Sequence, residues 1–425
     1  MLYYCSKCGA ALKESYRFCG KCGAPADLLP GSEDFESDLT YNDLSDNNSG
    51  TDAYELTNLG MNYYFGEGVQ KDYFLAFKYF TKSAEMGDPV AQCSLGLMYQ
   101  NGDGVMLDYT KALEWFKKSA DQDYAPAQFS IGEMYREGTG LPLDYSQAFR
   151  WYYRSAQGGF ASAQYNLGYM YESGTGVQQD YRQAYEWYYR AAEQGEASAQ
   201  YNIGVMYHNG TGIVQDYAKA FEWYQKAAYQ GDAAAQNNLG SMYEHGEYVP
   251  VNPYKAAEWY KKAADQSYAI AQSNLGALYR SGDGVPQDYA KALQLFHMSA
   301  DQNCDIGLYN LGEMYLQGIG VQQNYGMALS LLQRSALQGF PGAQHDLGVI
   351  FLNGMGVQEN DRIAFDWFLK AAEQGLDVSQ YNVGLMYSEG IGVRRNMNLA
   401  ISWMRQAAAQ NHPDAIDCLR EWRAL

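Results

Sequence analysis

Apolar residues recur at helical spacing along most of this chain. Between residues 87 and 122, Ala91, Leu95 and Met98 stand at i, i+4 and i+7, which places them on one side of a helix. We predict that this helix, called helix A, extends from about Asp88 to Asn101. The glycine that follows it is expected to act as the C-cap.

A second helix, called helix B, is predicted after a short turn. Asp108 stands where an N-cap belongs, because its carboxylate can accept a hydrogen bond from the free amides of the first helical turn. Helix B then continues to about Gln122. Its inner face is formed by Ala112, Phe116, Ser119 and Ala120.

This helix pair recurs every 36 residues. One glycine within helix A marks the ten copies, with no insertion or deletion between them: Gly60, Gly96, Gly132, Gly168, Gly204, Gly240, Gly276, Gly312, Gly348 and Gly384. A fixed period of this size indicates stacked supersecondary units rather than one closed core. Residues 413–425 align as an eleventh helix A without a helix B, so we predict that they cap the last unit.

Small and aromatic residues also follow the period. Each helix B carries two alanines, which allow neighbouring helices to approach closely. Seven tryptophans share one position and are predicted to fill the gap between units, rather than to form a cofactor or base-stacking box: Trp115, Trp151, Trp187, Trp223, Trp259, Trp367 and Trp403.

One unit carries the complete pattern and resembles a known family. Residues 161–192 read A-x-A-Q-Y-N-L-G-x-M-Y-x-x-G-x-G-V-x-x-D-Y-x-x-A-x-x-W-Y-x-x-A-A, which closely resembles the Sel-one-like repeat, a relative of the tetratricopeptide repeat. The spacing and the G-x-G-V turn favour it over the tetratricopeptide period of about 34 residues. The resemblance covers residues 54–425. It implies an all-α, right-handed superhelical solenoid that serves as a scaffold for protein partners.

The unit around His245 departs from the pattern. Tyr248 replaces the second turn glycine, Asn252 replaces the capping aspartate and Pro253 replaces the tyrosine. These changes indicate either a bend or specialised contact, or ordinary sequence drift.

The N-terminus carries the strongest metal signal. Two C-x-x-C-G motifs, ten residues apart, place Cys5, Cys8, Cys19 and Cys22 as four thiolates, which suits one tetrahedral Zn²⁺ in a closed, structural site. A redox dithiol, a rubredoxin-type iron site and a disulfide pair are the alternatives. Residues 1–25 resemble the short zinc ribbons found at the N-termini of many bacterial proteins.

Charge and hydropathy narrow the class of partner. Residues 26–53 are rich in acids and low in hydrophobicity, so we predict a disordered tether, with an acidic recognition peptide as the alternative. The formal net charge of −19 disfavours nucleic acid and anionic membrane. No membrane span or signal peptide is evident, and with seven cysteines the sequence indicates a reducing compartment, the cytoplasm.

A second stripe on helix A suggests a binding surface. Asparagine occupies one of its positions in seven of ten units, and an amide can pair with the backbone of an extended peptide. The predicted groove has Asn166, Asn202, Asn238 and Asn274 as its floor and Tyr165, Tyr169 and Tyr201 along its wall. The alternative is that each asparagine bonds a neighbouring helix and fixes the repeat angle.

Catalysis is not predicted. The chain has no S-x-x-K tetrad, its five histidines occupy scattered repeat positions, and its glycine turns join two helices, unlike phosphate-binding loops. The predicted function is a non-enzymatic scaffold that binds a protein or peptide on the concave face of the solenoid. The alternative is a regulator led by the zinc ribbon, associated with nucleic acid or a polymerase, that recruits partners through the solenoid.

Overall fold

The structure, a computed structural model, describes residues 3–4, 11–12 and 52–424. Two short strands, Tyr3–Tyr4 (β1) and Ala11–Leu12 (β2), pair antiparallel, with Tyr3 opposite Leu12. The four predicted zinc ligands, Cys5, Cys8, Cys19 and Cys22, and nearly all of the predicted linker lie outside the described residues.

The first of two compact units comprises residues 1–232. Its A helices are Ala53–Phe65 (α1), Pro89–Asn101 (α3), Ala125–Glu137 (α5), Ala161–Ser173 (α7) and Ala197–Asn209 (α9). Its B helices are Tyr73–Glu85 (α2), Tyr109–Ala120 (α4), Tyr145–Gln157 (α6), Tyr181–Glu193 (α8) and Tyr217–Tyr229 (α10). Each A helix packs against its own B helix, and successive hairpins stack within the unit.

The second unit comprises residues 233–425 and repeats this plan. Its A helices are Ala233–His245 (α11), Ala269–Ser281 (α13), Asp305–Gln317 (α15), Pro341–Asn353 (α17) and Asp377–Glu389 (α19), followed by Pro413–Glu421 (α21). Its B helices are Pro253–Asp265 (α12), Tyr289–Asp301 (α14), Tyr325–Leu337 (α16), Asp361–Glu373 (α18) and Met397–Ala409 (α20). The predicted all-α repeat fold is confirmed.

The predicted caps are also confirmed, although α4 ends at Ala120, two residues before the predicted end of helix B at about Gln122. The Asp108 carboxylate accepts a hydrogen bond from the Lys111 amide at 3.0 Å and caps α4. Gly102 ends α3 with a φ of 75°, and its amide donates to the Met98 carbonyl, a geometry that suits glycine. The first helix begins at Ala53, with Asp52 as its N-cap, one residue before the predicted start of the repeats.

The glycine that recurs in helix A lies against a large side chain of helix B. A Cβ on Gly132 would come within 2.7 Å of the Tyr152 ring, and one on Gly96 would overlap Phe116. Both rings are fully buried. The hairpin therefore closes at a distance that leaves no room for a methyl group.

The tryptophans pack between repeats, as predicted. Trp187 is 5 % exposed and joins a cluster formed by α6 of the preceding repeat and α7 of its own. Trp223 likewise joins a cluster formed by α8 of the preceding repeat and α9 of its own. In most repeats a basic side chain one helical turn later lies over the tryptophan ring; Lys226 Nζ, for example, lies 3.6 Å from the centre of the Trp223 ring. Aromatic burial thus holds the stack together.

The turn around Tyr248, which departs from the repeat pattern, keeps the usual backbone shape at the cost of local strain. Tyr248 adopts a φ of 65° where most units have glycine, a conformation that costs a side chain about 1 kcal/mol or more. Asn252 still caps α12 and Pro253 takes its first position, where a missing amide is harmless. The hairpin forms as in other units, which supports drift over a bend.

The last helix covers the end of the array. Ala415 and Leu419 of α21 are buried against Met404 and Ala407 of α20, so the predicted cap is confirmed. None of the helices among residues 52–424 is long and apolar enough to span a bilayer.

Candidate functional site

The candidate surface is one repeat position on the A helices, which we call the helix A row. Its members, in chain order, are Asn58, Ser94, Ser130, Asn166, Asn202, Asn238, Asn274, Asn310, Asp346 and Asn382. Each follows the first turns of its helix, and all but Asn58 immediately precede a buried core residue such as Leu167. The row therefore lies at the edge of the core, where polar side chains of adjacent repeats meet.

In the first unit, the row bridges successive A helices. Asn166 on α7 donates a hydrogen bond from Nδ2 to Glu133 Oε1 on α5 at 3.0 Å. Asn202 on α9 lies beside the hydroxyl of Tyr165 on α7. Burial is the main cause that raises the pKa of Tyr165, and the Asn202 side chain partly opposes this shift.

The second unit shows the same bridging. Asn274 Nδ2 donates to Asn237 Oδ1 at 3.0 Å, and Asn310 Nδ2 donates to Ser273 Oγ at 2.9 Å. Asn238 accepts a hydrogen bond from its neighbour Asn237 at 3.3 Å. These contacts favour the structural alternative for the amide nitrogens, because the Nδ2 atoms of three row asparagines already hold one repeat to the next.

The amide oxygens differ from the nitrogens. Among the described residues, the Oδ1 atoms of Asn166 and Asn274 accept no hydrogen bond, and both side chains are half-buried rather than enclosed. A carbonyl oxygen in this setting can accept a hydrogen bond from an external amide. The row therefore offers hydrogen-bond acceptors to a partner, whereas the predicted groove required both the donor and the acceptor of each amide.

The three predicted wall residues are not equivalent. Tyr169 is 55 % exposed, whereas Tyr165 and Tyr201 are half-buried. The Tyr165 ring centre lies 5.7 Å from that of Tyr188, and the Tyr201 ring centre lies 6.0 Å from that of Tyr224. Tyr165 and Tyr201 thus belong largely to the packing, and Tyr169 is the wall residue that faces solvent.

Glu133, which directly follows Gly132 on α5, is a residue that the predicted groove did not include. Besides Asn166, its carboxylate accepts hydrogen bonds from the Tyr152 hydroxyl and from the Arg136 guanidinium. Burial first, then the charge and hydrogen bond of Glu133, raise the pKa of Tyr152. An acid directly after the recurring glycine, with a tyrosine 19 residues after the acid, was the available signal.

In the part of the chain that the structure describes, no group of three or more His, Cys, Asp or Glu side chains could hold a metal ion. His345 Nδ1 lies 2.8 Å from Ser379 Oγ, yet Ser379 is fully buried and no substrate can reach it. Burial lowers the pKa of His345, and the nearby Asp377 opposes this.

Family models match the chain twice. The Sel1 repeat model matches ten consecutive segments, and the zinc-ribbon domain model matches residues 4–26. The ten segments are residues 56–88, 89–124, 125–160, 161–196, 197–232, 233–268, 269–304, 306–340, 341–376 and 377–412.

Solved structures agree with the Sel1 repeat match. A protective antigen with an SLR fold, present in uropathogenic Escherichia coli strains, is 35% identical over 85% of this chain and 78% of its own, with a TM-score of 0.74. A Sel1 repeat protein from Oxalobacter formigenes is 34% identical over 73% of this chain and 90% of its own, with a TM-score of 0.54. The search among curated proteins returned no match.

Proposed function

The chain belongs to the Sel1 repeat family, and from this premise we propose that it is a non-enzymatic adaptor that binds an extended segment of a protein partner on the helix A face of its first unit. Stacked repeats of this kind present long surfaces that commonly bind proteins. The observation that carries the proposal is Tyr169, a large aromatic residue with 55 % of its surface exposed beside the row.

The surroundings of Tyr169 suit a peptide backbone. Asn166 and Tyr165 lie on the same face of α7, three and four residues before it. The Asn166 oxygen can accept a backbone amide, while the Tyr169 ring provides apolar contact and a hydroxyl. Tyr201 and Asn202 supply the corresponding positions on α9. Asn274, with its open oxygen, offers an equivalent acceptor in the second unit, where Asn238 precedes it in the row.

The net charge of −19 favours a basic or neutral segment over an acidic one. We further propose that Cys5, Cys8, Cys19 and Cys22 bind one structural Zn²⁺, which the zinc-ribbon match supports and which suits two C-x-x-C pairs. The unpaired Cys93, Cys304 and Cys418 support placement in a reducing compartment, the cytoplasm.

The test starts from a random peptide library selected on the full-length protein. The dissociation constant of an enriched peptide is then measured for the wild type and for Tyr169→Ala. We expect the variant to bind about tenfold more weakly or worse, with an unchanged melting temperature because the ring is largely exposed.

Tyr254→Ala is the matched control, since Tyr254 is 64 % exposed but lies on helix B. It should leave the affinity unchanged, as should chelation of zinc from the full-length chain if the ribbon is accessory. The proposal fails if no peptide is enriched, or if Tyr169→Ala and Tyr254→Ala bind alike.

A further inference from the structure

One member of the helix A row is a carboxylic acid. Asp346 on α17 stands where seven other repeats have asparagine. In those repeats the asparagine amide can donate a hydrogen bond to the neighbouring repeat, as Asn310 does to Ser273 at 2.9 Å. An ionised carboxylate has no donor, so Asp346 cannot make this bridge in the same way.

The Asp346 carboxyl is poorly placed for a negative charge. Its Oδ2 atom is buried and has no hydrogen-bond partner among the described residues. The residues on either side of it in the core, Ala343 and Leu347, are fully buried. A carboxylate without a partner in such a place is costly, whereas a protonated one that donates a hydrogen bond is not.

The group that faces Asp346 is a second acid. Glu313 on α15 lies within hydrogen-bonding reach of the Asp346 carboxyl. Burial, then the charge of Glu313 and this hydrogen bond, raise the pKa of Asp346 to about 7. If both groups were ionised, two like charges would meet at the edge of the core, while a single proton would supply the missing donor.

The other ionisable groups around the pair do not neutralise Asp346. On α13, Arg280 Nη1 lies 3.9 Å from Glu313 Oε2. On α15, burial is the main cause that raises the pKa of Tyr309, and the charges of Asp346 and Glu313 raise it further. His345 on α17 bonds Ser379 and is influenced by Asp377 of α19. Within residues 52–424, no cation forms an ion pair with Asp346.

We propose that Asp346 and Glu313 share one proton, that this proton joins α15 to α17, and that its loss as the pH rises loosens this joint. The device is a pH-sensitive contact between two adjacent repeats. The acid is held in its protonated form by the fold, so the stabilisation is complete below the pKa of an unfolded aspartate, about 4. It is lost as the pH rises through the folded value.

Hydrogen exchange of the full-length protein between about pH 5 and about pH 8 tests the proposal. After correction for the intrinsic pH dependence of amide exchange, protection of α15 and α17 should fall by about tenfold or more, since each unit of pKa shift corresponds to tenfold in equilibrium. Asp346→Asn, which restores the common residue of the row, should abolish this fall. Protection of α7 should not follow the pH in either protein.

Glu313→Gln provides a second variant, because the glutamine amide can donate to an ionised Asp346 and should also flatten the profile. Infrared difference spectra of the wild type should show a protonated carboxylic acid that is lost over the same pH range and is absent from Asp346→Asn. A flat wild-type profile, or a fall of equal size in Asp346→Asn, would overturn the proposal. So would a protonated-acid signal that persists unchanged in Asp346→Asn.

Discussion

The joint between α5 and α7 and the joint between α15 and α17 use the same repeat positions. Glu133 meets Asn166 in the first, and Glu313 meets Asp346 in the second, each pair 33 residues apart. At the first joint an amide donates to a carboxylate at 3.0 Å. At the second, an acid faces an acid and one oxygen stays buried without a partner.

The two glutamates also differ in the hydrogen-bond donors around them. The Tyr152 hydroxyl and Arg136 both donate to Glu133. The position of Tyr152 is taken by Leu332 in the second joint, which has no donor. Glu313 instead accepts a hydrogen bond from Gln317 Nε2 at 3.0 Å and forms a long ion pair with Arg280 at 3.9 Å. The first joint is therefore complete with its own donors, and the second requires a proton from solution.

The largest difference should appear when the glycine beside each glutamate gains a methyl group. In Gly132→Ala the Cβ would come within 2.7 Å of the Tyr152 ring, which is fully buried and tethered by its hydroxyl. We expect the free energy of unfolding to fall by about 2 kcal/mol from overpacking, even after the gain of about 1 kcal/mol in helix propensity. Urea unfolding followed by circular dichroism measures this.

Gly312→Ala is the matched change in the other joint. Its Cβ would meet Leu332 Cγ and Cδ2 at 2.9 and 3.0 Å, and a leucine side chain can rotate away. The loss should therefore stay below about 1 kcal/mol. Equal losses in the two variants would show that the rigidity of the ring does not decide the effect.

A medium effect is expected from the reciprocal substitution Asn166→Asp. It places a second carboxyl beside Glu133, so the folded state should raise the pKa of the new acid, as at Asp346. An acid whose pKa is higher in the folded state binds its proton more tightly there, so the stability of the variant should match the wild type at about pH 4 and fall toward about pH 8. Arg136, which forms an ion pair with Glu133, should limit the loss to about 1 kcal/mol.

Urea unfolding at several pH values gives the profile. Asn166→Ser is the control, since serine occupies this position in two other units, at Ser94 and Ser130, and it removes the donor without adding a charge. Its stability should depend on pH as the wild type does. If the difference in the free energy of unfolding between Asn166→Asp and the wild type did not change with pH, the second acid would be solvated and its pKa would not be raised by folding.

Much of the fold could be predicted because its signals are local. The period, the glycine C-caps and the capping side chain of Asp108 all act within a few residues of where they stand, and each was confirmed. The cap formed by residues 413–425 followed from the same alignment. The zinc site stays a prediction, since its four cysteines lie outside the described residues.

The bonds between repeats could not be predicted in the same way. Glu133 and Asn166 lie on different helices, and which side chain a given asparagine meets depends on how the two hairpins stack. Asp346 differs from the asparagine of seven other repeats by a single group on its side chain, a hydroxyl or charged oxygen in place of the amide nitrogen. The effect of that change depends on the second acid, Glu313, which lies on another helix.

The smallest expected effect concerns Arg280. Its contact with Glu313 is long, and its side chain is 31% exposed, so Arg280→Gln should change the free energy of unfolding at neutral pH by less than about 0.5 kcal/mol. Removing the positive charge makes a second negative charge on the acid pair less favourable. The pH midpoint of exchange in α15 and α17 should therefore move upward by a fraction of a unit. A downward shift would mean that Arg280 does not act through Glu313, and that another group sets the charge of the joint.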